Sequence, residues 1–151
     1  MTSFNFIDGP VPAHQHPNGG GWVADTAYVD DTAYIGPDAV VFNNAGVFDN
    51  AVVAGNASVF DNAVVSSNAR VFDNAVVTGN AAVIDYARVS SNAQVLDNAL
   101  VAGNALVAGS AVVAGNARMF DNALIFDNAK VSGYAKVYGN DLISGYDQVS
   151  C

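Results

Sequence analysis

Cysteine is nearly absent. Cys151 stands alone, so no disulfide can form within the chain and nothing in it calls for an oxidising compartment. Cations are scarce too: 5 Lys and Arg face 14 acidic residues, a formal charge of −9. Such a surface repels phosphate backbones, which argues against direct nucleic-acid binding. No apolar run approaches membrane-spanning length, so no membrane span is expected. Residues 1–8 lack the basic region and apolar stretch of a signal peptide, so synthesis in the cytoplasm is expected. Leucine is sparse. The 52% hydrophobic share is mostly Ala and Val, and only 13% of residues are charged. That composition suits thin, repeated layers better than one large globular core, and it is not that of a disordered chain.

What the sequence has in abundance is one hexad. An aliphatic anchor recurs every six residues from Val23 to Val149, at 22 positions, all aliphatic or Met. Two residues before it stands Ala, from Ala27 through Ala135; Asp141 and Asp147 take its place at the end. In a strand, residues i and i+2 face one side, so Ala and the anchor both point inward and the residue between them points out. Asp-Asn (49–50, 61–62, 73–74) or Gly-Asn (55–56, 79–80, 103–104) follows. These residues tolerate left-handed backbone angles and suit a corner. Each hexad therefore reads as a very short strand plus a corner, and the period excludes an α-helix. Residues 1–20 carry Pro10, Pro12 and Pro17, lead into the run Gly19-Gly20-Gly21, and read as an irregular N-terminal cap. Residues 21–151 form the repeat domain. Phe4, Phe6 and Ile7 are expected to cover the open end of the core, because a terminal layer otherwise exposes its interior.

Two hexads or three could close a coil. With two, Asp49, Asp61, Asp73, Asp85 and Asp97 would stack in one column about 4.8 Å apart. Like charges at that spacing cost on the order of 1 kcal/mol per neighbour even in water. With three, the column reads Asp49, Ser67, Asp85, Gly103, Asp121, Gly139, and a neutral coil separates each Asp from the next. Large and small residues alternate likewise at Phe48, Ser66, Ile84, Ala102 and Phe120. Three hexads per coil, about seven coils of 18 residues, are expected.

Segments such as Val53-Ala54-Gly55-Asn56-Ala57-Ser58 and Val29-Asp30-Asp31-Thr32-Ala33-Tyr34 resemble the hexapeptide pattern of left-handed parallel β-helix proteins. The Asp-Asn-Ala and Gly-Asn-Ala wording is similar to hexapeptide-repeat proteins of enterobacteria and tailed phages or prophages, often labelled transferases by fold alone. The resemblance implies an all-β fold, a single left-handed parallel β-helix of triangular coils. It also implies a phage or prophage context.

Candidate chemistry is sparse. Hexapeptide acyltransferases would bring a His on or beside a coil, an inserted loop and often a C-terminal helix; the repeats contain no His, no insertion and no helix. The zinc enzymes of that fold need three His ligands, and only His14 and His16 exist. In extended chain both imidazoles would face one side, although two loop histidines, one of them hydrogen-bonded in the cap, are the plainer expectation. The corner aspartates read as turn formers rather than calcium ligands, and the Asn column as a ladder of stacked amides. The sequence thus assigns no catalytic, cofactor-binding or metal residue and no cofactor. An uninterrupted prism offers no pocket for a general base. The expected function is a non-enzymatic structural or binding β-solenoid, a virion or tail-associated component acting as a homo-oligomer. The alternatives are an acyltransferase-like hexapeptide-repeat enzyme, with its site near His14 to His16 or Asp141 to Asp147, and a self-assembling filament that stacks end to end. Outward residues Val52, Leu106, Leu124 and Leu142, on a flat that also carries Tyr34, Arg70 and Arg88, mark the expected lateral interface.

Overall fold

The computed structural model describes residues 2–151. Strands β4 to β24 run from Tyr28–Val29 to Gln148–Ser150, one per hexad, mostly two residues long. The register settles the coil length. Val64 pairs Ala82, Ala82 pairs Leu100 and Leu100 pairs Arg118, all parallel and all 18 residues apart. Every third strand therefore joins the same sheet, giving three parallel flats and three edges: the left-handed parallel β-helix of about seven triangular coils that the period implies. The first flat carries Trp22, Val40, Ser58 and Val76 outward, the second Tyr28, Gly46, Val64 and Ala82, the third Tyr34, Val52, Arg70 and Arg88.

Ala and anchor fill the prism. Every anchor except Val29 and Val149 is buried, and Ala33 through Ala135 are too. Small Ala beside an aliphatic anchor lets three walls close on a narrow axis, in which Ile35, Met119 and Ile125 are the largest side chains. Where Asp141 and Asp147 replace Ala, in the last coil, both are exposed.

The edges carry the left-handed residues. From Asn43 to Gly145, one position in every hexad has φ between +57° and +70°. Seven of these are Asp, and all seven do the same thing. Each carboxylate accepts a hydrogen bond from the left-handed backbone amide one coil later. Asp85 takes the Gly103 amide (3.0 Å), Asp97 the Gly115 amide (2.9 Å), and Asp49, Asp61, Asp73, Asp121 and Asp127 repeat the contact. The neutral residue between two aspartates in a column is thus more than a spacer, because its amide is the donor. Asn side chains add a partial ladder, Asn56 to Asn74 (3.3 Å), Asn80 to Asn98 (3.2 Å) and Asn104 to Asn122 to Asn140 (3.4 Å each).

The N-terminal segment departs from the expected irregular cap. β1 (Ser3–Phe6) and β2 (Gly9–Gln15) form an antiparallel hairpin, and β2 runs antiparallel to β3 (Trp22–Ala24), extending the first flat. Pro10 and Pro12 are tolerated because residues 9–12 pair with β1 on one side and have no strand on the other, β3 pairing only 13–15. Phe4 stacks on Trp22 and Phe6 on Phe42, each at 4.9 Å, and Phe42 stacks on Phe60 at 4.7 Å. These rings form a second cluster, separate from the prism interior. Phe4 and Phe6 therefore cover the outside of the first flat, and Ile7, in the hairpin turn, is exposed. The large-over-small alternation fails at Phe42 and Phe60, where an aromatic stack replaces it.

The prism's first coil is closed instead by residues 16–21. His16 Nε2–H and the Asn18 side-chain amide both donate to the Ala33 carbonyl at 3.0 Å, and the Gly21 amide donates to the Ile35 carbonyl. The chain passes so close that a Cβ on Gly19, at φ +114°, would stand 2.1 Å from the Ile35 oxygen. Only glycine fits there.

Candidate functional site: a groove under the N-terminal hairpin

Where the hairpin leaves the solenoid wall, a groove of about 620 Å³ opens along the first edge. That volume lies within the range of small-molecule sites. Its floor is a stack of corners, Asp25-Thr26, Asn43-Asn44, Asp61-Asn62 and Gly79-Asn80, and its wall is Val11 and Pro12 of β2. The repeat builds the floor because corners recur 18 residues apart. The aromatic stacking of Phe4 and Phe6 sets the wall.

Asp61 is the most constrained acid in the groove. Its carboxylate accepts from the Thr78 hydroxyl (2.6 Å), the Asn43 side-chain amide (3.1 Å) and the Gly79 amide (3.3 Å). The Thr78 bond is the main cause of a pKa below the ordinary carboxylate value. Partial burial pushes the other way, and the Gly79 and Asn43 bonds reinforce the lowering. The Asn43 amide also reaches Asp8 in the hairpin turn (3.3 Å), tying the two walls together.

Asp25, on the groove's floor, is paired with His14. His14 Nδ1 lies 2.8 Å from Asp25 Oδ1, both side chains about half exposed. With Nδ1–H donated to the carboxylate, the imidazole is held in one tautomer and Nε2 is its basic nitrogen. Register explains the meeting. β2 pairs with β3 so that His14 lies opposite Val23, two residues before Asp25.

His14 and His16 are not brought together. β2 ends at Gln15, the chain turns, and His16 is buried on the Ala33 carbonyl while His14 stays exposed on Asp25. Among the described residues no group of three His, Cys, Asp or Glu side chains could hold a metal ion. Asp141 and Asp147 lie at the opposite end of the solenoid, where the Asp141 carboxylate accepts from the Tyr138 amide, and they share nothing with His14. Sequence reasoning missed Asp25 as a partner of His14. It stands at a corner like many other aspartates, and only the antiparallel hairpin singles it out.

No protein-family model and no curated protein matches the chain. Among solved structures it is similar to the acetyltransferase domain of PglB from Neisseria gonorrhoeae FA1090, in complex with acetyl coenzyme A. The identity is 13% and the TM-score 0.41, over 82% of this chain and 53% of that one, so the chain spans about half the length of the structure it matches. The expectation of a non-enzymatic structural rod associated with phage gains no support from this comparison, whose neighbour is an acetyltransferase domain with acetyl coenzyme A. The expectation that the chain is no enzyme has the same neighbour against it. The premise of a pocketless prism fails on geometry as well, since the hairpin builds a groove against the wall.

Proposed function

We propose that the chain has an acyl-transfer activity of the hexapeptide-repeat type, with the groove as acceptor site and His14 as general base. The observation that carries this is the His14–Asp25 pair, 2.8 Å apart, whose carboxylate lines the groove. In acyl transfer from a thioester, the hydroxyl or amine attacks the acyl carbon, a base takes its proton, the C–S bond breaks, and the leaving thiolate receives the proton back from the base. Asp25 orients the imidazole and stabilises the imidazolium that forms. Asn44 and Asn62 line the same groove, and their side-chain amides are donors for a developing oxyanion, while the Asn80 amide is held by Asn98. The Asn-Ala-x-Val wording of the repeats, similar to enterobacterial proteins labelled transferases, is in keeping with this reading. We place the working unit as a homo-oligomer joined laterally through Val52, Leu106, Leu124 and Leu142 on the third flat.

The test is transfer from acetyl coenzyme A to a panel of small amines and alcohols, with binding of the donor read by calorimetry. His14→Gln should lower kcat by roughly 10²–10⁴-fold, and Asp25→Asn should lower it less while moving the pH profile. A wild-type chain that neither binds nor turns over the donor, or a His14→Gln variant of full activity, would overturn the proposal.

A further inference from the structure

Charge on this molecule is sorted by position. All five cations, Arg70, Arg88, Arg118, Lys130 and Lys136, occupy the outward mid-strand place on a flat, and each is exposed. No Asp occupies such a place; the seven left-handed aspartates stand on the edges. Among the described residues the one ion pair at salt-bridge distance is His14–Asp25, so none of the five cations has a carboxylate partner in its own chain.

The third flat makes this costly. Arg70 and Arg88 are register partners on adjacent coils, about 4.8 Å apart. Like charges directly opposite each other destabilise a sheet. Above them in the same column come Leu106, Leu124 and Leu142, and below them Val52. An isolated chain gains nothing from two unpaired guanidinium groups set in an apolar column.

We propose that this flat receives the acidic edge of a second copy, with Arg70 and Arg88 gripping the column Asp49, Asp85 and Asp121. The lateral contact proposed above is assumed here, and this inference names its electrostatic half. That edge repeats Asp at every second coil, about 9.6 Å apart, with Ser67 and Gly103 between. Two long arginine arms rooted on adjacent coils can splay to meet two such carboxylates. The first edge is occupied by the hairpin and groove. The third, with Asp73 and Asp127 separated by Ser91 and Gly109, lacks the even spacing. An edge-on-flat contact is heterologous, so it closes into a ring when the rotation permits. The carboxylates already hold coil-to-coil amides with one oxygen, which leaves the other to accept from guanidinium.

Sedimentation equilibrium on the full chain tests it, at about 20 mM and about 500 mM NaCl. Wild type should associate, and its Kd should rise at least about tenfold at the higher salt. Arg70→Glu/Arg88→Glu should be monomeric at low salt with unchanged circular dichroism. Asp49→Asn/Asp85→Asn/Asp121→Asn should weaken association comparably, since Asn keeps the left-handed corner. Lys130→Glu, on the first flat, should change nothing. Association undiminished in the arginine variant overturns this inference and leaves the apolar lateral contact standing. Association undiminished in the asparagine variant overturns the acidic edge as the occupant. A wild-type monomer whose arginine signals shift with inorganic phosphate overturns it in favour of a small anion, and the lateral contact falls with it.

Discussion

Asp61 meets three donors at once, and their effect on its carboxylate has a definite sign. The Thr78 hydroxyl, first, then the Gly79 amide and Asn43, stabilise the charged form and depress its pKa in the folded chain. The unfolded value is near 3.9. A depressed folded pKa contributes stability that is present above the unfolded value and is lost as pH falls through the folded one. Acid unfolding followed by circular dichroism should therefore steepen below about pH 4, and Asp61→Asn should flatten that limb. The left-handed glycines allow a second residue-scale comparison. A Cβ on Gly103 (φ +66°) would stand 2.7 Å from the Asp121 amide nitrogen, whereas on Gly139 (φ +62°) it would meet nothing within 4 Å. Both substitutions to Ala bear the left-handed strain, about 1–3 kcal/mol. Gly103→Ala adds a backbone clash and should lower the melting temperature well beyond Gly139→Ala.

Elements differ in how they are held, and that governs what could be read in advance. The solenoid strands were legible because one period fixes them. Ala27 to Ala135 and the anchors point inward by alternation, and the Asp/Gly columns select three hexads per coil. The hairpin was not legible. Its prolines and glycines carry the composition of a loop, and its pairing depends on rings far apart in sequence, Phe4 with Trp22 and Phe6 with Phe42. The groove and the His14–Asp25 pair exist only through that pairing, so the site was hidden for the same reason. Phe42, 1% exposed, is the keystone. Phe42→Ala should cost about 3–5 kcal/mol and loosen the hairpin. Trp22, the sole tryptophan, should shift its emission to the red, and amide exchange should quicken at residues 9–15 while the later coils stay protected.

On the scale of the whole molecule, stability is a sum over coils and their interfaces, since each coil touches only its neighbours. Removing residues 91–108 takes out one coil and returns every later hexad to its own flat and edge. That variant should remain folded, with a smaller denaturant m-value, because less surface is exposed on unfolding. Removing 91–99 instead sets corners against strands and turns Ala and Val outward, and it should yield insoluble protein. Circular dichroism and soluble yield distinguish the two outcomes.

The contacts between the left-handed Asp carboxylates and backbone amides all point one way. The carboxylate belongs to the earlier coil and the amide to the later one, seven times over. A chain leaving the ribosome makes the earlier coil first, so each finished turn waits with an acceptor ready for a turn not yet synthesised. The fold then has an arrow in time: growth proceeds like masonry, course upon course, from the hairpin end. Nascent chains arrested at successive lengths should gain protease resistance in steps of one coil, beginning at the N-terminus. The reverse order, or a single late step, would show that the arrow in the structure is not one in assembly.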